Sequence, residues 1–403
     1  MQELRLLLDG LVAACTSAVV IVVMRRFALV LGLVDRPDQR KQHLGEVPLV
    51  GGLAIFTGMI AGAICYGAFD GFERGLLGTA AVLALLGALD DRFGLSVRDR
   101  LLIQTIAILT VIASSGVYIH TLGHIFGHDV VLGWLGVPMT VLAVIGLVNA
   151  FNMMDGIDGL AGSLTLVSIA SVILFASPTP LRGVIMLLAL LAAATLPYLV
   201  VNLGFVGGKV FLGDAGSTLI GYLLAWVLIR LSQIPDTHLS PVDVLWCVAL
   251  PVFDTLAVMY RRMRAGRSPF NPDRGHIHHI LLGAGLRPRA TLVALVALAA
   301  SLASIGAFVS GVVHSAGANL TVFCLILGIY VTTVMRMWQR QEAARRQAAF
   351  GPQRGVGAMN ISPGTGRSAL PADLAARGSG NDGGGAGDRK TEAYRSAERS
   401  NRR

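Results

Sequence analysis

Long apolar runs recur along this chain at a spacing that leaves room for little else. A helix needs ~20 mostly apolar residues to cross the hydrocarbon core of a bilayer. A helix also satisfies its own backbone polar groups, which lipid cannot do. By that measure eleven segments qualify: 10–31, 49–69, 73–89, 101–119, 133–150, 160–177, 183–203, 215–232, 242–260, 291–313 and 318–338. The second and third are separated only by Asp70-Gly71-Phe72. Of the 403 residues, 14% are charged and 54% hydrophobic, against about 25% charged in soluble proteins. A soluble chain so composed could not cover its surface. The expected fold is all-α: a polytopic membrane protein with about eleven transmembrane helices.

The first run reads as a span, because Arg25 and Arg26 follow it where a signal peptide carries its charge in front. Orientation follows from the basic residues, which collect in cytoplasmic loops. Loops after odd-numbered spans hold Arg25, Arg26, Arg36, Arg40 and Lys41, then Arg92, Arg98 and Arg100, then Lys209, then seven arginines from Arg261 to Arg289. Loops after even-numbered spans hold Arg74 and Arg182. The bias places the N-terminus in the periplasm and the C-terminus in the cytoplasm. The net charge of +9 fits that surface. No basic helix or RNA-binding signature supports a nucleic-acid partner. Cys15, Cys65, Cys247 and Cys324 lie singly in apolar runs and read as small buried hydrophobes. From about residue 339 the chain turns rich in Gly, Ser and Arg, and a disordered basic cytoplasmic tail over 339–403 is expected.

Four polar motifs interrupt the apolar pattern. Asp90-Asp91 ends the third span. A helix end paired with Arg92 would explain one acid, but two adjacent carboxylates at membrane depth repel and invite a cation. After the fifth span comes Asn149-Ala150-Phe151-Asn152-Met153-Met154-Asp155-Gly156-Ile157-Asp158-Gly159. On a helix, Asn152, Asp155 and Asp158 would share one face, with glycines letting a ligand approach the backbone. Phe211-Leu212-Gly213-Asp214-Ala215-Gly216-Ser217 opens the eighth span. Asp214 is a good helix cap. The same geometry suits phosphate, with Asp214 holding Mg²⁺ against its oxygens. The loop after the ninth span carries Arg274, His276, His278 and His279. With no cysteine near, zinc fits less well than a pyrophosphate. Lys41, ahead of Gly51-Gly52, is a further phosphate contact, and the glycines permit close packing at the start of span two.

The charge-derived topology puts all four motifs on the cytoplasmic side. Carboxylates, cations and imidazoles gathered there suit phosphoryl transfer between a soluble diphosphate and a membrane-embedded acceptor. Mg²⁺ would take one or two carboxylates and leave its other positions to phosphate and water. A secondary transporter also uses polar residues near broken helices, but near the bilayer midplane. A lipid-binding scaffold would not require so many acids.

Over about residues 35–335 the chain resembles the polyprenyl-phosphate N-acetylhexosamine 1-phosphate transferase family (glycosyltransferase 4). The likeness rests on Arg40-Lys41 with His43 and Gly51-Gly52, on Asp90-Asp91, on Asn149 to Gly159, on Phe211 to Ser217 and on His276 to His279. It implies a transmembrane transferase domain over 1–338 in the cell inner membrane, with its active site on the cytoplasmic face. The implied reaction moves N-acetylglucosamine 1-phosphate from UDP-N-acetylglucosamine to polyprenyl (undecaprenyl) phosphate and releases UMP. It would be the first membrane step of a cell-envelope polysaccharide pathway such as O-antigen synthesis. The implied cofactor is Mg²⁺, with Mn²⁺ as a substitute. By resemblance Asp214 binds the metal, with Asp91 beside it. Phe211 stacks on uracil, and Asn152 and Asp155 contact the nucleotide, with Asp158 in the same motif. Asp90 and Asp91 form the acidic pair, with Asp90 as base in a direct attack by the lipid phosphate. His276-Ile277-His278-His279 resembles the N-acetylglucosaminyl branch. Muramoyl-pentapeptide or another UDP-N-acetylhexosamine is the alternative donor. A homodimer is compatible with the sequence, which does not set the oligomeric state.

Overall fold

The computed structural model describes residues 2–36, 45–175, 181–234, 239–268, 275–313 and 315–349. Lys41 and Arg274 lie outside the described residues. The helices are α1 (Gln2–Leu31), α2 (Gly51–Tyr66), α3 (Gly71–Phe93), α4 (Val97–Ser115), α5 (Gly136–Met154), α6 (Leu160–Phe175), α7 (Arg182–Asn202), α8 (Gly213–Ser232), α9 (Pro241–Trp246), α10 (Ala249–Arg264), α11 (Ile277–Gly283), α12 (Pro288–Val313) and α13 (Ala316–Ala349). Two small antiparallel sheets pair β1 (Val34–Asp35) with β2 (Val47–Pro48), and β3 (Thr121–Ile125) with β4 (His128–Val131). The fold is therefore mostly helical, with a minor strand content that the hydropathy pattern hides. Among the described residues, seven helices are long and apolar enough to cross a membrane.

Local sequence chemistry sets the helix ends. Asp70 accepts hydrogen bonds from the N–H groups of Phe72 (2.8 Å) and Glu73 (3.2 Å), and the Glu73 carboxylate accepts one from Asp70 N–H. This capping box starts α3 immediately after the turn from α2. Glycines in the left-handed region close α2, α3 and α4 at Gly67, Gly94 and Gly116.

The ninth apolar run is not one helix. It breaks at Cys247 and Val248 into α9 and α10. Pro251 supplies the reason: its ring clashes with the carbonyl four residues earlier, at Cys247, and it has no N–H to donate there. Pro251 is tolerated because it falls in the first turn of α10. The last helix departs in the other direction. It continues past residue 338 to Ala349, so residues 339–349 of the expected tail are helical; residues 350–403 lie outside the described residues.

Helix α8 is the centre of the bundle. Eighteen of its twenty residues are buried, including Trp226 and Tyr222. It packs against α3, α5 and α2 through small residues. A side chain at Gly52 would overlap the backbone of Gly216, one at Gly87 that of Ala215, and one at Gly221 that of Val148. Lipid provides no hydrophobic drive between helices, so this close backbone approach supplies the packing attraction. Helices α1, α12 and α13 ring the core and keep large apolar side chains outward, among them Val30, Phe308 and Ile329. These are the surfaces that lipid would cover. Cys15, Cys65 and Cys324 share that outer surface and only Cys247 is buried, contrary to the expectation for all four.

Candidate active site

The site begins at the start of α8. Four N–H groups at a helix N-terminus have no partner within the helix, and Leu212 at this N-cap supplies no side-chain bond. Asp91, from the last turn of α3, takes that part. One of its oxygens accepts from Asp214 N–H at 2.9 Å and the other from Ala215 N–H at 3.3 Å. A carboxylate at the positive end of a helix dipole is favourable. The chain makes the approach possible at Gly213, which adopts φ +73° with Asp91 packed against it. The expected close packing of Gly51-Gly52 is also found. Their N–H groups donate to the carbonyls of Phe211 (3.0 Å) and Leu212 (2.9 Å).

Adjacent residues on a helix point in different directions, and Asp90 turns away from Asp91. It is buried, accepting from Leu95 N–H at 2.7 Å and pairing with Arg100 of α4 at 2.6 Å. The same Arg100 nitrogen stands 3.8 Å from Asp214. Arg92, the partner suggested by sequence, instead lies over the Phe93 ring.

Asn152, on the last turn of α5, donates to Asp214 at 2.6 Å and to Ser217 Oγ at 3.0 Å. Helix α5 stops at Met154, so Asn152, Asp155 and Asp158 do not share a helical face. Asp155 sits at the C-cap, and residues 155–159 form a turn. Gly159 closes it at φ +75°, and its N–H donates to Asn202 at 2.6 Å. Asn202, buried at the end of α7, also donates to Val210 C=O at 2.8 Å, which ties the turn to the strand-like run before α8. Within the turn, Asp158 is ion-paired with Lys209. Lys209 lies 5.4 Å over the Phe211 ring, a cation–π contact. Asp155 has its carboxyl pushed well above the usual range, first by burial and then by the charges of Asp214, Asp91 and Asp158. The four aspartates therefore sense one another, as a shared pocket requires.

The histidine segment closes the other side. His276 and His278 are buried and His279 is half-buried. His276 Nδ1 meets Asp254 at 2.7 Å. His278 packs on Gly156, between Asp155 and Asp158, and a side chain at Gly156 would overlap its ring. Among the described residues, neither ring nitrogen of His278 has a hydrogen-bond partner. Burial, and then the neighbouring His279 and His276, push its pKa down to about 3, so the ring is neutral.

Among the described residues, no three His, Cys, Asp or Glu side chains enclose a single metal position. Mg²⁺ does not need such a cage, since it keeps several positions for water and phosphate. The donor set fits it. Asp214 is about a third exposed, with Asn152 on one oxygen and the other turned toward the open side near Arg100. Asp91 accepts from the N–H of Asp214, so the two carboxylates share the start of α8 and a cation there would offset both.

Comparison with known proteins bears on this arrangement. Residues 74–232, which hold Asp90-Asp91, the Asn152–Gly159 stretch and Asp214, match the family described as glycosyl transferase family 4. A protein of Escherichia coli (strain K12) named undecaprenyl-phosphate alpha-N-acetylglucosaminyl 1-phosphate transferase is 42% identical over 326 residues, 78% of this chain and 87% of its own. Its namesake in Yersinia pestis is 39% identical over 321 residues, 79% and 88% of the two chains. That of Haemophilus influenzae is 38% identical over 334 residues, 81% and 93%. The chain belongs to glycosyl transferase family 4.

Sequence reading of this family 4 protein missed several residues that the structure brings into the site. Arg100 and Lys209 were visible only as topogenic charge, because nothing local reveals which acid each will meet. Asn202 carries no mark in the sequence, lying at the edge of the apolar run 183–203. Asp254 did leave a signal: it is a lone acid inside the apolar run 249–258, and an intramembrane charge is a functional candidate on that ground alone.

Proposed function

We propose that this protein transfers N-acetylglucosamine 1-phosphate from UDP-N-acetylglucosamine to undecaprenyl phosphate and releases UMP. One observation carries the reading. Asp214 stands at a helix N-terminus fixed by Asp91, braced by Asn152 and approached by Arg100. The names of the family relatives agree with it.

In this reading an oxygen of the lipid phosphate attacks the phosphorus bound to the sugar. A new P–O bond forms, the bond to the bridging oxygen breaks, and UMP leaves with that oxygen. Asp214, with Asp91 beneath it, would hold Mg²⁺, which when bound neutralises the diphosphate and the departing UMP. Asn152 orients Asp214, and Phe211 offers a face for the uracil. Lys209 balances Asp158 beside it. Two aspartates could take the proton from the lipid phosphate. Asp90 would first have to exchange Arg100, whereas Asp155, once ionised, gains relief from the surrounding acids by taking a proton and is favoured. His278 packs on the same turn at Gly156.

The finer topology belongs to the same proposal: eleven spans in the cell inner membrane, a periplasmic N-terminus, a cytoplasmic C-terminus and the site on the cytoplasmic face. Purified protein with UDP-N-acetylglucosamine, undecaprenyl phosphate and Mg²⁺ is expected to release UMP and form the sugar-diphospholipid. Competition by UDP-N-acetylgalactosamine and UDP-muramoyl-pentapeptide tests the donor. Turnover of the pentapeptide donor alone would move the protein to that branch, and no UMP from any donor would end the proposal.

A further inference from the structure

Asp254 is fully buried in α10, a position where an apolar side chain would be cheaper. Its carboxylate gathers three donors from two other helices. Ile277 N–H donates at 2.9 Å, capping the start of α11, and Tyr330 O–H of α13 donates at 3.1 Å to the same oxygen. The other oxygen meets His276 Nδ1 at 2.7 Å. With Asp254 ionised its carboxylate can only accept, which assigns the proton to Nδ1 of His276 and sets its tautomer. The His276 ring stacks parallel on His278, 5.9 Å between centroids with an 8° interplanar angle. His278 in turn rests on Gly156. Two turns beyond Asp254 on the same face of α10, Arg261 donates to Gly275 C=O at 3.1 Å and stacks over Trp338, so the segment entering His276 is held from the same two helices.

The contacts thus run without a gap from α13 through Asp254 and two imidazoles to the turn that carries Asp155 and Asp158. We propose that Asp254 is a positioning residue for the transfer reaction: it fixes the tautomer and seat of His276, and through His276 and His278 it holds the 155–159 turn in its reactive geometry. This rests on the transferase reading above. Asp254 does not touch substrate. A carboxylate is required because the amide of Asn would offer a donor to Nδ1, turning it into an acceptor and moving the proton to Nε2. The shape and the bond to Ile277 N–H would be retained.

The test compares wild type, Asp254→Asn and His276→Gln in detergent with UDP-N-acetylglucosamine and undecaprenyl phosphate. Each protein is also labelled with ¹⁵N-histidine to read imidazole tautomers by NMR. Asp254→Asn is expected to melt near wild type, to lose about 10- to 100-fold in kcat with a smaller change in donor KM, and to move one imidazole from the Nδ1–H to the Nε2–H pattern. The missing resonance in His276→Gln identifies that imidazole. His276→Gln keeps Asp254 on Ile277 and is expected to lose activity to a similar extent, which decides the matter if Asp254→Asn fails to fold. Full activity in either variant, or an unchanged tautomer in a folded Asp254→Asn, overturns the proposal. A wild type without UMP release overturns the transferase reading instead, while the tautomer shift still decides whether Asp254 governs His276.

Discussion

At the scale of single residues, the site is a set of carboxylates given different work by their neighbours. Asp91 caps a helix, Asp90 is neutralised by Arg100, Asp158 by Lys209, and Asp155 is left to feel the others. Replacing Asp155 with Asn keeps the shape and removes a carboxyl that burial and its acidic neighbours make costly to ionise. Transfer is expected to fall about 100-fold or more, while the melting temperature holds or rises. A parallel loss of stability and activity would make Asp155 structural. His278 gives a pH prediction of definite sign. In the unfolded chain its imidazole titrates near its ordinary value of about 6.5, whereas in the fold it stays neutral down to about 3. Its contribution to stability is therefore complete above the ordinary value. It declines by about 1.4 kcal/mol per pH unit as the solution is acidified below that value, because only the unfolded chain takes the proton. Melting curves of wild type and His278→Gln should diverge on acidification, with wild type falling faster. Parallel curves would show that His278 is not held neutral. The acids and the histidines were legible because each departs from its apolar surroundings. Their partners were not, because Arg100 is one of several equivalent loop cations until α3 and α4 have packed.

At the scale of elements, hydropathy located the helices but not their interruptions. The ninth run looked continuous because its composition is apolar throughout, and the break depends on one proline meeting one carbonyl. The shared face expected for Asn152, Asp155 and Asp158 failed because α5 ends at Met154, where Asp155 turns the chain. The role of the glycines on α2 and α3 was partly visible in Gly51-Gly52. That of Gly87 was not, since its neighbour comes from a helix more than a hundred residues away. This makes a paired test. Gly87→Val forces a side chain into the Ala215 backbone and is expected to cost about 1–3 kcal/mol or more, with transfer reduced because Asp91 and Asp214 move apart. Gly78→Val, on the same helix with open space around it, should melt near wild type. Equal melting temperatures for the two would mean that α3 and α8 do not pack this closely.

At the scale of the whole molecule, the positive charge of the loops predicts a cytoplasmic face for the loops that carry the acids. A single cysteine at Phe126, in the β3–β4 turn, should react with an impermeant maleimide added outside spheroplasts. One at Gly266, after α10, should react only once the membrane is opened. The native Cys15, Cys65, Cys247 and Cys324 are first replaced by Ala. Reversed labelling would invert the topology and separate the acids from a cytosolic donor.

Because α8 meets other helices on every side, it has almost no boundary with hydrocarbon. A thinner or thicker bilayer must therefore be accommodated by tilt in α1, α12 and α13, whose outer faces are the apolar ones. The spacing of the reacting groups is insulated from that adjustment. Turnover should then vary little between vesicles of short-chain and long-chain phosphatidylglycerol, and this enzyme could keep its rate in membranes of quite different thickness.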